Sequence, residues 1–271
     1  MRIALMQTEG RPGDVAGNLS LLEEAAARAR DDGAELLIAP EMFLTGYNIG
    51  KQAADLAEPQ DGPSAAYIAD LARSNNLAII HGYPERSGDR VYNAAQAIAA
   101  DGSALANYRK SHLYGAEERR LFQAGDGAAA TARIGDFTVG LLICYDVEFP
   151  EAVRLLALAG CDLIAVPTAL MQPPNRIPDL LVPARACENQ VFVAYANRCG
   201  AEGSLTYVGQ STVAGPDGAM LSQAGSGAAL LLADLDRGRI AEVRNQYTYL
   251  NDRRPETYGG LQAAPSLARS A

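Results

Sequence analysis

The sequence predicts an α/β protein built on mixed β-sheets. Three observations carry this expectation. Short apolar strands alternate with helical patterns along the chain. Several of those strands are apolar throughout, as parallel strands covered on both faces are. Two turn signals, Asp101-Gly102 and Pro216-Asp217-Gly218, mark antiparallel hairpins. Residues 2–7 form the first strand. Residues 18–32 follow as a helix, with Leu19, Leu22, Ala26 and Ala29 at helical spacing and Gly33 just past the end as a C-cap signal. Residues 35–39 are a second strand, continuous enough to be buried on both faces. A helix over 64–74 leads to a third strand over 77–81, and residues 91–99 and 104–108 form the first hairpin. The second half opens similarly, with a strand over 137–143 after the Gly135-Asp136 turn. A helix over 151–158, a buried strand over 162–166, a helix over 183–189 and a strand over 191–196 come next. Residues 211–214 and 220–222 form the second hairpin, 230–234 the last strand and 237–244 the last helix. The halves look alike, and no linker or low-complexity stretch parts them. Residues 1–258 therefore read as a single domain, and 259–271 as a loose tail.

The chain has 271 residues, 48% of them hydrophobic and 20% charged, enough to bury a sizeable core. Lys and Arg number 23 against 32 Asp and Glu, a net charge of −9, so a phosphate backbone would be repelled. Arg253-Arg254 is the densest basic cluster, and nucleic acid is excluded as a partner. No apolar run approaches the roughly 18 residues that span a bilayer, so no membrane association is expected. The first residues read as a strand rather than as a secretion signal, and the expected location is the cytoplasm. The four cysteines contain no C-x-x-C spacing and only His81 and His112 could join them, which makes no zinc set.

Three residues draw attention because each closes a strand pattern. Cys144 ends Gly140-Leu-Leu-Ile-Cys144 just ahead of a helix, where open α/β sheets place ligands and where backbone N–H groups favour thiolate. Glu41 follows the buried run Leu36-Leu-Ile-Ala-Pro40, where poor solvation raises a carboxyl toward the range of a usable base. Lys110 ends Ala106-Asn-Tyr-Arg-Lys110. Singly, each has a plain structural reading: a core thiol, a loop acid, a solvated lysine. Together they supply a nucleophile, a proton acceptor and a positive charge for an oxyanion.

The residues carrying these groups resemble the nitrilase superfamily of carbon–nitrogen hydrolases. The matching motifs are Pro40-Glu41, Tyr108-Arg109-Lys110 and the run from Ile143-Cys144-Tyr145-Asp146 to Glu148-Phe149-Pro150-Glu151. Asn197, Gly209-Gln210-Ser211, Gly215-Pro216 and the stretch from Asp252 to Tyr258 extend the match over nearly the whole chain. The resemblance implies a four-layer α-β-β-α sandwich, assembled as a homodimer or larger homo-oligomer. It implies that Cys144 attacks an amide carbonyl and forms a thioester. Lys110 and the Tyr145 N–H then stabilise the oxyanion, and Glu41 moves the protons. It implies no metal or organic cofactor. A second glutamate is expected seven or eight residues after the lysine, at Glu117 or Glu118, of which Glu118 is favoured. His112 and His81 read as structural, His81 as a satisfied polar residue near the hairpin.

The substrate is expected to be a small amide. Where relatives acting on N-carbamoyl amino acids carry an arginine for the substrate carboxylate, this chain has Glu148, which suits an ammonium instead. The wording around residues 40–50 and 82–86 is similar to family members that act on ω-amino amides. An alternative for Asp146 and Glu148 is a salt-bridging role around Arg154 or Arg185. Tyr47, Tyr114, Thr168 and Ala169, with Met42, Phe43 and Met171, are expected pocket walls because they follow strand ends. Hydrolysis of a nitrile or an N-carbamoyl amine, a cysteine protease, and a non-catalytic binding subunit are the other readings.

Overall fold

The computed structural model describes residues 1–173 and 176–262. In chain order the first half contains β1 (Arg2–Gln7), α1 (Val15–Asp31), β2 (Leu36–Ile38), α2 (Gln52–Asp55) and α3 (Pro63–Asn75). The β3–β4 hairpin (Ala78–Ser87, Arg90–Ile98), β5 (Ala104–Arg109) and α4 (Gly115–Leu121) complete it. The second half runs β6 (Thr131–Ile134), β7 (Phe137–Leu141), α5 (Pro150–Leu158), β8 (Leu163–Thr168), α6 (Val182–Asn189) and β9 (Phe192–Asn197). It closes with a short hairpin, β10 (Ala201–Glu202) and β11 (Leu205–Thr206), then β12 (Thr212–Ala214), β13 (Met220–Gln223), β14 (Ala229–Asp234) and α7 (Gly238–Gln246).

Two six-stranded mixed sheets result, ordered β14-β1-β2-β3-β4-β5 and β13-β12-β9-β8-β7-β6. Each has three parallel strands at its centre and antiparallel strands at its edges. The two-sided burial of the apolar strands explains the layering. Along β1, Ile3 and Leu5 join a core shared with β7, β8 and β9, while Ala4 and Met6 pack with Leu22, Ala26 and Ala29 of α1 and Ile68 of α3. On the far side Val153 and Leu156 of α5 and Ala186 of α6 close the second sheet. The order of layers is helix, sheet, sheet, helix, as the resemblance implied.

Differences from the sequence reading are local. Helix α1 starts at residue 15 because the Asp14 side chain caps it, accepting from Gly17 N at 2.9 Å. β3 runs on to Ser87, paired throughout with β4. Strand β7 stops at Leu141, so Cys144 does not end a strand; it opens a 3-10 turn, Cys144–Glu148. The elements missing from the sequence reading are short, namely α2, α4, β6 and the β10–β11 hairpin. A 3-10 turn at Gly259–Gln262 occupies the start of the expected tail, and residues 263–271 lie outside the described residues. No helix among the described residues is long and apolar enough to cross a membrane.

His81 corrects the expectation of a satisfied polar residue. It sits in the middle of β3 opposite Gln96, and neither ring nitrogen has a hydrogen bond of normal geometry. Burial pushes its pKa down to about 4, against a weaker opposing effect of Gln96. The unfolded chain therefore binds the imidazole proton more tightly than the folded one, and stability is lost as pH falls below about 6.5. Urea unfolding is expected to show a loss of about 2 kcal/mol between pH 7 and pH 5, a window above most carboxylate titration. That loss should vanish in His81→Gln; a pH dependence equal in both proteins overturns the assignment.

Candidate active site

The site is built around a buried ammonium. Lys110 follows directly on β5, and its side chain is fully buried. Its Nζ lies 2.7 Å from Glu41 Oε1 and 2.7 Å from Glu118 Oε1. Asn93 of β4 donates to the same Glu41 oxygen at 2.7 Å, while Glu41 Oε2 has no hydrogen-bond partner. Glu118, on α4, is held in turn by the Tyr47 hydroxyl and by the Tyr114 N–H, each at 2.7 Å. Its neighbour Glu117 points outward and pairs with Arg120. The structure thus brings Glu118, not Glu117, to the lysine.

The loop carrying Glu41 is pressed against β3. A Cβ built on Gly82 would come within 2.6 Å of Met42 N and Pro40 O and 2.7 Å of Glu41 Cα, all of them backbone that would have to shift to make room. Met42, next to Glu41, has φ of +49°. Cys144 is the other strained residue here, at φ +46°. Its turn is held from behind by Asp146, which accepts from Ile143 N, the Tyr108 hydroxyl and both the backbone N–H and Nδ1 of His112, at 2.7–3.1 Å. Arg185 donates to the Val147 and Glu148 carbonyls at 2.9 and 2.7 Å. Asp146 therefore serves the turn through His112 and Tyr108 rather than through Arg154 or Arg185, and Arg185 reaches the turn's carbonyls while pairing with the Glu188 carboxylate at 3.0 Å, not with Asp146 or Glu148.

A cavity of about 300 Å³ opens over Cys144. Tyr47, Tyr114, Tyr145 and Glu148 line one part of it, and the stretch from Ala169 to Pro173 lines the rest. Six expected residues are therefore placed together with the thiol: Tyr47, Tyr114, Tyr145, Glu148, Ala169 and Met171. Three are not. Thr168 is fully buried with its hydroxyl donated to the Val166 carbonyl at 2.9 Å, and Met42 and Phe43 are packed in apolar clusters. Thr168 is still within β8, and Met42 and Phe43 lie past the end of β2 but turn their side chains inward. Asn93, Leu170, Gln172 and Pro173 were missed; a lone asparagine within the apolar run of β4 was the available signal for the first.

The electrostatics follow from burying two carboxylates, an ammonium and a thiol together. Burial pushes the Glu41 carboxyl up, the Lys110 charge opposes this, and Glu118 adds to the rise. Burial works against the Lys110 charge, but Glu41 and Glu118 outweigh it and hold the ammonium protonated. The Cys144 thiol is raised well above its ordinary value by desolvation and by Glu41, more than Lys110 and the Ala169 backbone hydrogen bond lower it. This corrects the expectation that N–H groups favour thiolate here: the resting group is the neutral thiol, and a base must take its proton. Glu41, raised and with one oxygen unengaged, has the chemistry of such a base. Among the described residues no group of three His, Cys, Asp or Glu is arranged to hold a metal ion. Gly82→Ala is expected to displace Glu41 without abolishing folding, lowering kcat/KM for any turnover at this site by at least about tenfold; undiminished turnover with a normal melting temperature would show that the contact is irrelevant.

The chain is 51% identical, over 96% of its length and 92% of the relative's, to the hydrolase in the pqqF 5' region of Pseudomonas protegens. It is 37% identical to an (R)-stereoselective amidase of a Pseudomonas species, over 94% of the chain and 92% of the amidase. A crystal structure of an amidase from Nesterenkonia sp. superposes with a TM-score of 0.88 at 39% identity, covering 96% of each chain. Residues 2–245 match the carbon-nitrogen hydrolase family along almost the whole described chain, and the protein belongs to that family, as an amidase-type hydrolase of carbon–nitrogen bonds other than peptide bonds.

Proposed function

We propose that the protein hydrolyses a small aliphatic primary amide, one carrying an ω-ammonium group such as 5-aminopentanamide, to the carboxylate and ammonia. The observation that carries the chemistry is the unengaged Glu41 Oε2 in a buried Glu41–Lys110–Glu118 cluster, beneath a cavity lined by Cys144. In support, structures of the Nesterenkonia amidase include a cysteine-to-alanine variant with butyramide, and a glutamate-to-glutamine variant with an acetamide moiety attached to its active-site cysteine.

In this reading Glu41 takes the Cys144 proton as the sulfur attacks the amide carbon. Lys110, together with the Tyr145 N–H, receives the charge developing on the oxygen. The C–N bond breaks as Glu41 returns the proton to nitrogen, ammonia leaves, and a thioester remains. Glu41 then deprotonates a water, which adds to the thioester carbonyl and expels the thiolate. Glu118 positions Lys110. Glu148 recognises the distal ammonium: its half-buried carboxylate lines the cavity, and among the described residues it makes no hydrogen bond or ion pair. Desolvation raises its pKa, with Lys110 and Arg185 opposing. We also propose that copies of the chain associate through α5, whose Leu155 and Leu158 are exposed; light scattering at the mass of one protomer overturns this.

Ammonia release from amides of varied length, with and without a terminal amine, tests the substrate. Glu148→Gln is expected to lower kcat/KM for the amine-bearing amides at least about tenfold relative to uncharged ones, and an unchanged ratio removes the ammonium site. Glu41→Gln is expected to cost about a hundredfold or more in turnover. Because the base must be unprotonated, activity falls as pH drops through the raised Glu41 pKa, so the acid limb lies above the ordinary glutamate range. Glu118→Gln removes one cause of that rise, and its acid limb is expected at lower pH; a limb at or above the parent's contradicts the coupling.

A further inference from the structure

The short hairpin after β9 lies outside the reacting groups, yet it holds two separate stretches of the cavity wall. On one side Glu202 is buried and its Oε2 accepts the Tyr47 N–H at 3.2 Å and the Tyr207 hydroxyl at 2.6 Å. The Asn48 side chain donates to the Glu202 carbonyl at 2.9 Å, and the Tyr47 and Tyr207 rings meet edge to face with centroids 6.4 Å apart. Gly46, at φ +94°, leaves the room that this carboxylate fills, since a Cβ there would run into Glu202 Oε1. On the other side Gln172 N donates to Thr206 O at 2.8 Å, Val208 N donates to Leu170 O at 3.1 Å, and Met171 bridges to Tyr207. Tyr47 and the run Leu170–Gln172 all line the cavity.

The arrangement is a poor one for stability alone. Glu202 Oε1 and Arg198 Nε are buried without hydrogen-bond partners, and the Arg198–Glu202 pair is long, at 3.7 Å. Buried polar atoms left unpaired cost free energy, and buried ion pairs seldom repay their desolvation. What the pair does supply is geometry: Arg198 reaches Met42 O and Glu9 O while Glu202 reaches Tyr47 N, so one buried cluster fixes both ends of the loop that follows Glu41.

We propose that the β10–β11 hairpin sets the length of acyl chain the enzyme accepts, with Glu202 and Tyr207 as positioning residues that clamp Tyr47 against the Leu170–Gln172 wall. The hydroxyl of Tyr207 is a removable bond of the clamp: it ties Glu202 to the residue that bridges to Met171. Without it the carboxylate keeps Tyr47 N and Arg198 but is no longer referenced to the opposite stretch of wall, and the cavity can widen. The reacting groups stay in place, because Lys110, Glu41 and Glu118 are fixed from β4, β5 and α4.

The inference rests on the amide-hydrolase reading. The test is kcat/KM for straight-chain primary amides from acetamide to hexanamide, measured by ammonia release for the parent, Tyr207→Phe and Asn48→Ala. Tyr207→Phe removes only one hydroxyl and Asn48→Ala one partly exposed tether, so at least one folded variant is expected. The ratio of hexanamide to propionamide turnover is expected to rise about fivefold or more in either variant. A lower melting temperature with the parent's chain-length profile assigns the hairpin a purely structural role and overturns the proposal. A parent enzyme that releases ammonia from none of these amides, nor from their ω-amino counterparts, overturns the amidase reading itself and the inference with it.

Discussion

The structure depends on keeping one ammonium charged where water cannot reach it. An unpaired lysine at this depth would shed its proton. Lys110 keeps its proton because two carboxylates approach it at 2.7 Å from different parts of the chain. That requirement reaches outward through the fold. Glu41 must lie against β3, which fixes Gly82 as a residue without a side chain. Glu118 must be brought back by α4, which is why the short helix follows β5 and why Tyr47 and the Tyr114 N–H both serve its carboxylate. The same two carboxylates raise the thiol beside them, so the groups that hold the lysine positive also hold the nucleophile in reserve until its proton has somewhere to go.

Strain is the second constraint. A cysteine at φ +46° costs of order 1–3 kcal/mol relative to a relaxed backbone, and it persists only where the surroundings over-determine it. Here the surroundings are Asp146 and Arg185. Asp146 accepts from residues on both sides of Lys110, Tyr108 and His112, as well as from Ile143, so the lysine strand and the nucleophile turn share one carboxylate as their common reference. The relative placement of Cys144 and Lys110 is set by this buried link between the two sheets, not by either sheet alone.

Much of this was legible in the sequence, for identifiable reasons. The buried strands announced themselves because parallel strands covered on both sides are apolar throughout, and β1, β2 and β8 are of that kind. Glu41, Lys110 and Cys144 stood out because a charged or reactive group directly after such a run is unusual, and the motif resemblance joined them. Other features depend on long-range contacts that local pattern does not record. Asn93 and Gly82 look like ordinary strand residues until the Glu41 loop is laid against them. Thr168 ends β8 and Met171 follows it, yet only Met171 faces the cavity, because Thr168 is still paired within the sheet while a side chain beyond the strand end takes its direction from the partner it meets. The β10–β11 hairpin is too short for periodicity to reveal, and the positive φ at Cys144 hid the end of β7 inside an apolar run that continues past it.

The distribution of these features separates two tasks. The proton-handling groups come from β4, β5, α4 and the loop after β2, all in the first half, and are almost wholly enclosed. The nucleophile and most of the cavity wall come from the second half, on turns and loops beyond β7 and β8. Chemistry that must stay constant is thus built where packing permits little change, and the surfaces that meet the rest of the substrate are built where loops can differ at small cost to the core. The link between the two is Tyr47, whose hydroxyl belongs to the buried charge cluster and whose ring belongs to the cavity wall. A residue so placed joins the wall to the charge cluster through a single hydroxyl, and this is reason enough for its backbone to be pinned by a buried carboxylate that stability alone would not favour.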